Sequence, residues 1–313
     1  MVIRKISYYR VIVSLCLFMF LLSPVFGDEI SAVSFDKELP ENNIVTIQPD
    51  SLRILHNPLT GWVLYASMGV DAADFWAQYD HMYIPELGHN VSVTDYAHTL
   101  YIRASWTDFN PQEDVYGWKI DSNLRAYIEG AYQRNMRLAF RVVVDSRDKR
   151  TEFTPQFVKD AGAKGFMNKG KWSPYSDDSV FQKYYTKFVK ALAKDFNDPS
   201  KVEFIDGFGL GKWGEYHTMI YSTGDDTPKK AVFDWVTDIY SQAFDKVPVV
   251  INYHRWIGAG KDWVDDEHFA ADSEEMLEEA IKKGYSLRHD AFGMTTYYGS
   301  WERRFAKKYR NIC

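Results

Sequence analysis

The chain has 313 residues, of which 46% are hydrophobic and 26% are charged, and its formal net charge is −6. This is the composition of a globular protein with room for one large core or two small ones. The mild acidity gives no reason to expect nucleic acid or an anionic membrane surface as a partner. Aromatic residues reach 16%, which suits core packing and also flat platforms in a polar cleft.

Residues 1–27 have the pattern of a secretory signal peptide. Basic residues precede an apolar run at 11–22, and the small residues Val25 and Gly27 favour cleavage before Asp28. We therefore expect a secreted or periplasmic protein with no membrane span in its mature part. Cys313 would be the one remaining cysteine, so the fold is expected to depend on its core and not on an internal disulfide.

Apolar, β-rich segments alternate with amphipathic segments along the rest of the chain. The predicted strands lie at 62–65, 99–103, 137–144, 204–205, 247–252 and 291–297. Helical spacing predicts helices over 120–135, 179–196 and 229–244. Asp272 and Glu275 have the spacing of a capping box, which predicts a further helix that ends at Gly284. This alternation indicates a parallel sheet, either doubly wound or closed into a barrel.

The spacing of the strands favours the barrel. Successive strands begin roughly 40 residues apart, with a longer gap after Asp145, as in a (β/α)8 TIM barrel with insertions. We predict an α/β fold of this kind, either truncated after about six βα units or with its first strand elsewhere. The expected domains are a signal peptide at 1–27, an N-terminal extension at 28–56 and a catalytic-type barrel at 57–313, incomplete at its C-terminus.

Polar and aromatic residues follow the ends of the predicted strands. In a TIM barrel the chemistry lies at the C-terminal ends of the strands, so these residues are expected to share one rim. Rings stack on the apolar face of a sugar, while acids, amides and arginine bind its hydroxyls. The candidate substrate-binding residues are Arg103, Trp106, Asp145, Trp213, His217, Asn252, His254, Tyr297 and Trp301, and the candidate catalytic residue is Glu215.

The segment from Gly209 to Gly214 matches the G-x-G-x-x-G spacing of a dinucleotide-binding loop. That motif requires a helix after the last glycine, and the residues from Glu215 onward show no apolar helical repeat. We favour a different interpretation, in which the glycines let the backbone turn sharply and present Glu215 at the mouth of the strand. The alternative is a glycine-rich loop with a solvated glutamate.

Two segments resemble clan A glycoside hydrolases. Residues 100–118, followed by Asp121 and a helix, resemble the second βα unit of several families, with R-x-x-W and then E-P-x-x-G-x-Y-x-W, although Asn110 and Asp114 replace the acid and the glycine. Residues 206–215 resemble the end of the fourth strand, where the clan places its acid/base glutamate. Gly214 precedes Glu215 here, as in a group of β-galactosidase-like bacterial proteins. The resemblance covers about residues 57–309.

The resemblance implies an exported glycoside hydrolase that cleaves β-linked oligosaccharides or polysaccharides by a retaining mechanism. Glu215 would first protonate the leaving oxygen and then activate water. The clan's nucleophile ends the seventh strand, and no acid of this sequence is assigned to that place. No cofactor is implied, and the partner would be the saccharide.

Two alternatives remain open. One is a non-catalytic carbohydrate-binding TIM barrel. The other is a metal-dependent hydrolase, with His217, His254 and Asp145 as ligands, although no H-x-H or H-E-x-x-H spacing supports a metal. Arg103 would either bind the region of the catalytic carboxylates or pair with a buried acid.

Overall fold

The computed structural model describes residues 61–66, 68–145, 151–252, 256–260 and 272–288, which belong to one compact unit. The predicted signal peptide, the extension at 28–56 and the predicted strand at 291–297 lie outside these residues, as do His254, Tyr297 and Trp301. In the described part of the chain, no helix is both long enough and apolar enough to cross a membrane.

The described elements alternate between strands and helices. The strands are β1 (Trp62–Ala66), β2 (Met82–Ile84), β3 (His89–Val91), β4 (Ala97–Ser105), β5 (Arg137–Val143), β6 (Gly165–Asn168), β7 (Lys171–Pro174), β8 (Val202–Asp206), β9 (Val249–Asn252) and β10 (Ser286–Arg288). The helices are α1 (Ala72–Asp80), α2 (Trp106–Phe109), α3 (Gly117–Ile120), α4 (Ser122–Gln133), α5 (Gln156–Asp160), α6 (Ser179–Phe196), α7 (Lys229–Ala243) and α8 (Ser273–Lys282). Short 3₁₀ turns lie at Val93–Asp95 and Lys212–Gly214.

Within the described residues, six strands form one sheet in the order β1-β4-β5-β8-β9-β10, and every neighbouring pair in it is parallel. Apart from the two short hairpins β2–β3 and β6–β7, each strand lies beside the next one in the chain. A doubly wound sheet would instead reverse its strand order at a switch point. The chain therefore has an α/β fold with the strand order of a partial (β/α)8 barrel, which confirms the predicted fold class.

The sixth strand of the described sheet was not predicted from the sequence. β10 occupies Ser286–Arg288, with Leu287 as its one apolar residue, so it is too short to show an alternating pattern. The long interval between β5 and β8 contains α5 and the antiparallel hairpin β6–β7. This insertion accounts for the gap in the strand spacing.

The helices begin and end close to the predicted residues. Helix α6 spans residues 179–196 as predicted, and Asp121 opens α4 by accepting a hydrogen bond from the Leu124 amide at 2.7 Å. The predicted capping box at α8 is wrong, because the Asp272 side chain makes no cap and binds the Lys229 ammonium at 2.7 Å instead. Gly284, with φ of +93°, follows the end of α8 as expected.

Alternation along the strands separates an apolar face from a polar face. Leu100 of β4 and Phe140 of β5 are at most 1% exposed and belong to the core that the helices cover. Successive side chains of a strand point to opposite faces, so Tyr101, Arg103 and Arg141 lie on the other face. Arg103 and Arg141 are register partners on adjacent strands. The inner face of the sheet is therefore charged, and it carries the candidate site.

Candidate functional site

A buried group of four side chains occupies the inner face of the sheet. Arg141 of β5 donates its Nε–H to Oδ2 of Asp206, at the end of β8, over 2.9 Å, and the two side chains are 3% and 0% exposed. Arg288 of β10 and the Tyr101 hydroxyl of β4 donate to the same oxygen. We call Tyr101, Arg141, Asp206 and Arg288 the aspartate cluster. It joins four strands of the sheet through one carboxylate.

Asp206 is ionised in this cluster. Burial alone would raise its pKa, but the charges of Arg141 and Arg288 and the hydrogen bond from Tyr101 hold the pKa below its ordinary value of 3.8. Burial and the charge of Asp206 raise the pKa of Tyr101, so this phenol stays protonated and donates. Because the Asp206 side chain is fully buried, it positions its neighbours and does not face a ligand.

Glu215 is the acid that the aspartate cluster presents at the rim. The second arm of Arg141 donates to its Oε1 at 3.0 Å, and its Oε2 lies 3.6 Å from Nε2 of His217. The Glu215 side chain is 17% exposed. Burial raises its pKa, but the nearby His217 ring and the charges of Arg141 and Arg103 outweigh burial, so the pKa is lowered. Glu215 is therefore a carboxylate in the free protein at neutral pH.

The glycine-rich loop after β8 packs against the end of β5. A Cβ atom on Gly209, which has φ of +74°, would lie 2.3 Å from the carbonyl oxygen of Val142, and the Gly209 carbonyl accepts from the Val144 amide at 3.1 Å. No helix starts after Gly214, since the next one, α7, begins at Lys229. The segment is not a dinucleotide loop, and its glycines allow the close approach that places Glu215.

Two side chains near Glu215 fix the loop. Trp213 has φ of +60°, a left-handed conformation that a bulky residue rarely adopts, and its carbonyl accepts from Arg103 at 2.8 Å. Its ring meets the His217 ring edge-on at 5.6 Å. His217 is 1% exposed, with Nδ1 at 2.8 Å from the Thr218 hydroxyl, so it supports Glu215 rather than contacting a ligand directly. Trp213 is partly exposed and stays a candidate platform.

Trp106 is not a sugar platform. It is fully buried and packs against Phe181, Tyr185 and Phe188 in the core, because α2 turns it away from the rim directly after β4. Asn252 is 5% exposed and is the register partner of Arg288.

The other predicted residues lie around this centre. Asp145 is partly exposed and accepts a hydrogen bond from Ser173 of β7 at 3.4 Å. Trp118, which ends the segment that resembles clan A, is not part of the site: it packs internally, with its indole donating to Asp195 at 2.8 Å. Among the described residues, no group of three His, Cys, Asp or Glu side chains is arranged to hold a metal ion.

A cavity of about 400 Å³ opens beside Arg103 at the C-terminal ends of β1, β4 and β5. Its wall includes Tyr65, which is 46% exposed, and the side chains of Ser105 and Asp108. The carboxylate of Asp108 caps α2, accepting from the amide and hydroxyl of Ser105 at 3.0 and 2.7 Å. Arg103 lines this cavity and contacts both Tyr65 and the Glu215 loop.

Sequence reasoning missed Tyr101, Arg141 and Arg288 as site residues. Arg141 stands inside the apolar run of β5, and a charged residue in a buried strand requires a partner. The charged residue in this apolar run was the sequence signal that could have indicated Arg141 as a site residue. The identity of the partner depends on strand register, which the sequence pattern does not reveal.

No protein-family model matches this chain, and neither does any curated protein sequence. Among solved structures, endo-glycoceramidase II from Rhodococcus sp. has a TM-score of 0.47 and 14% identity, over 80% of this chain and 62% of that one. An endo-1,4-beta-xylanase from Caldicellulosiruptor owensensis has a TM-score of 0.44 and 12% identity, over 78% and 66%.

An endogalactoceramidase has a TM-score of 0.42 and 13% identity, over 82% of this chain and 69% of that one. All three similarities are low in both identity and TM-score, and the chain spans about three fifths of the length of the endo-glycoceramidase. Similarities this distant do not establish a substrate or a reaction.

Proposed function

We propose that the protein is an exported glycoside hydrolase acting on β-linked oligosaccharides or polysaccharides, with Glu215 as its acid/base residue. One observation carries the proposal: a carboxylate at the end of the fourth sheet strand is held by Arg141 and His217 at the rim of a charged inner face. Active sites of (β/α)8 barrels lie at this end of the strands. The exposed ring of Tyr65 and the partly exposed Trp213 supply surfaces for a sugar ring.

In the proposed reaction, Glu215 gives its proton to the glycosidic oxygen as the bond to the sugar carbon breaks. It then takes a proton from the water that attacks the same carbon. The first step requires protonated Glu215, whereas its neighbours favour the ionised form. We therefore expect hydrolysis to be fastest at acidic pH, where a larger fraction of Glu215 carries the proton.

A retaining mechanism also requires a second carboxylate about 5 Å from the first. Asp206 does not fill this role, because its side chain is fully buried and three donors bind its Oδ2. We assign no nucleophile. Labelling with a 2-deoxy-2-fluoro aryl glycoside, followed by peptide mass spectrometry, would identify the residue that forms the glycosyl-enzyme.

A non-catalytic carbohydrate-binding barrel is the second candidate. The observation that favours it is the lowered pKa of Glu215, since an ionised glutamate held by Arg141 suits hydrogen bonding to sugar hydroxyls better than proton donation. The two functions differ in turnover and not in binding. Both predict saccharide binding at the same rim.

The test is hydrolysis of a panel of aryl β-glycosides by the wild-type protein, by Glu215→Gln and by Glu113→Gln. Glu113 is an exposed glutamate that pairs with Lys187 of α6, so its variant controls for loss of one carboxylate. We expect Glu215→Gln to lose about 10²- to 10⁴-fold in kcat/KM and the control to lose almost nothing. Saccharide binding without turnover in the wild-type protein would instead support the binding barrel.

The proposed export has a separate test. Expression of the full chain in a bacterial host, followed by fractionation and N-terminal sequencing, should yield a protein outside the cytoplasm that begins near Asp28. Retention in the cytoplasm with residues 1–27 intact would reject this part of the proposal.

A further inference from the structure

The loop that carries Glu215 has an unfavourable backbone conformation. Trp213, Tyr216 and Thr218 have φ of +60°, +60° and +53°, in the left-handed region that suits glycine and is rare for larger residues. Residues in this region persist only where the surrounding structure fixes them, and they are common at functional sites. Because Glu215 lies between the first two of them, the contacts that hold the loop also decide where its carboxylate lies.

Two buried tyrosine hydroxyls hold the start of this loop. Tyr185 of α6 donates its O–H to the carbonyl oxygen of Phe208 at 2.9 Å. Tyr285, between α8 and β10, donates to the Gly207 carbonyl at 2.8 Å, with the Thr237 carbonyl as a second acceptor at 3.2 Å. Both tyrosines are at most 3% exposed. Their bonds fix the two residues that follow β8, where the chain leaves the sheet.

A third tyrosine orders the first of these hydroxyls. The oxygen of Tyr240, on α7, lies 2.9 Å from that of Tyr185, and Tyr240 is fully buried. A tyrosine hydroxyl has one proton, and the Phe208 carbonyl accepts that of Tyr185. Tyr240 is therefore the donor to Tyr185, so the two hydroxyls form a short relay that ends at the loop. We call Tyr185, Tyr240 and Tyr285 the tyrosine brace.

The brace fits closely against the glycines of the loop. A Cβ atom on Gly207 would lie 2.8 Å from the Tyr285 hydroxyl oxygen, and one on Gly209 would lie 2.6 Å from that of Tyr185. Such distances are shorter than a carbon–oxygen contact allows, so only glycine admits the hydroxyls here. The loop and the tyrosines are thus matched to each other in shape as well as in hydrogen bonding.

Packed contacts connect the braced residues to Glu215. The Phe208 ring meets the Tyr216 ring edge-on at 5.7 Å, and the Tyr216 amide donates to the Leu210 carbonyl at 2.9 Å. Tyr216 is the residue after Glu215 and is 1% exposed. A displacement at Phe208 would therefore also displace the backbone that carries Glu215.

We infer that Tyr185, Tyr240 and Tyr285 are positioning residues that hold Glu215 within reach of the glycosidic oxygen. The inference rests on the proposed function, in which Glu215 is the acid. Since the three tyrosines are buried, they act through the loop and not by touching a substrate. Without its donor, the start of the loop can move and its strained backbone can relax. A displacement of about 1 Å at a reacting group can cost about 10²-fold in rate.

The test compares Tyr185→Phe and Tyr285→Phe with the wild-type protein on a phenyl β-glycoside and the matching dinitrophenyl glycoside. The parameter kcat/KM reports the bond-cleavage step, in which only the phenyl leaving group needs a proton from Glu215. We expect kcat/KM to fall about ten- to a hundredfold for the phenyl glycoside and less than about threefold for the other. The ratio of the two rates does not depend on the fraction of folded protein, so it separates positioning from stability.

Two further variants control the measurement. Tyr127 of α4 is 1% exposed and donates to the Val70 carbonyl at 3.1 Å, outside the loop, so Tyr127→Phe should keep the wild-type ratio. Tyr240→Phe should have a smaller effect than Tyr185→Phe, because Tyr185 still reaches the Phe208 carbonyl. Combining Tyr185→Phe with Tyr240→Phe should cost no more than Tyr185→Phe alone, since Tyr240 acts through Tyr185.

A second readout requires no turnover. The pKa of Glu215 can be followed by NMR in protein labelled with ¹³C at the glutamate carboxyl groups, and Glu215→Gln identifies its signal. The neighbours of Glu215 hold this pKa below its ordinary value of 4.5. If the brace keeps the carboxylate against these neighbours, Tyr185→Phe and Tyr285→Phe should raise the pKa toward 4.5. Tyr127→Phe should leave it unchanged.

Each outcome decides between the claims. An unchanged ratio of the two rates in both Tyr185→Phe and Tyr285→Phe would overturn the inference and leave Glu215 as the acid. Absence of turnover of every aryl glycoside by the wild-type protein would reject the hydrolase and leave the brace to the NMR titration. There, a raised pKa of Glu215 in the two variants would support its positioning by the tyrosines, and an unchanged pKa would overturn it.

Discussion

Replacing Arg141 by methionine removes the guanidinium that joins the aspartate cluster to Glu215. The Arg141 side chain is 3% exposed and contacts Asp206 at 2.9 Å and Glu215 at 3.0 Å. Methionine keeps much of the length and the apolar contact of the arginine stem but cannot donate a hydrogen bond. The substitution therefore tests the ion pairs more than the packing.

The expected loss of stability is large. Removing one partner of a buried ion pair costs about 3–5 kcal/mol, because the other charge is left without compensation. Asp206 would still have Arg288 and Tyr101, so we expect a value near the lower end, about 3 kcal/mol. This is a substantial fraction of the 5–15 kcal/mol that stabilises a typical domain. Arg141→Lys should recover part of the loss.

Urea unfolding followed by tryptophan fluorescence measures the change, with Arg125→Met as the control for an exposed arginine. The control should change the free energy of unfolding by less than about 0.5 kcal/mol. A loss below about 1 kcal/mol for Arg141→Met, at an unchanged dependence on urea, would refute the view that the cluster is a buried ionic centre.

Other predictions follow from the same contacts. In the folded protein, the pKa values of Asp206 and Glu215 lie below their ordinary values of 3.8 and 4.5. The stability that the two carboxylates contribute is therefore present above the ordinary values and is lost as the pH falls through the lower folded pKa values. Acid titration of unfolding should show this loss below about pH 4. Tyr101→Phe should cost about 1–3 kcal/mol in urea unfolding, since Asp206 loses a buried donor; no change would show the hydroxyl to be dispensable. Gly209→Ala should lower the melting temperature more than Gly162→Ala. Both glycines have positive φ, but an added Cβ atom would meet neighbouring atoms only at Gly209. Equal effects of the two substitutions would contradict the close packing of the loop after β8.

Much of the fold could be predicted from the sequence because it depends on local patterns. The apolar runs of β4 and β5 and the helical spacing of α6 are each visible within one segment of the chain. Asp121 was recognised as a helix start through the resemblance to clan A, which is also a local feature. β10 was not predicted because three residues carry too little pattern, and its sheet position depends on pairing with β9.

The candidate site was predictable only in part. Glu215 was found through the glycine-rich loop and the resemblance to clan A, both of which are local features. The aspartate cluster was not, because its members are distant in the chain: Arg141 and Asp206 lie 65 residues apart, and Tyr101 and Arg288 lie 187 residues apart. Trp106 was misjudged because its position after a strand says nothing about which way the first turn of α2 directs the ring.

The most direct test of Glu215 as the acid compares two leaving groups. In Glu215→Gln, hydrolysis of a phenyl β-glycoside, whose leaving oxygen needs a proton, should fall by about 10²-fold or more. Hydrolysis of the matching dinitrophenyl glycoside, whose leaving group departs without protonation, should fall far less at its bond-cleavage step. That difference is what proton donation by Glu215 predicts. An equal fall for both substrates, or no fall for either, would contradict the assignment of Glu215 as the acid.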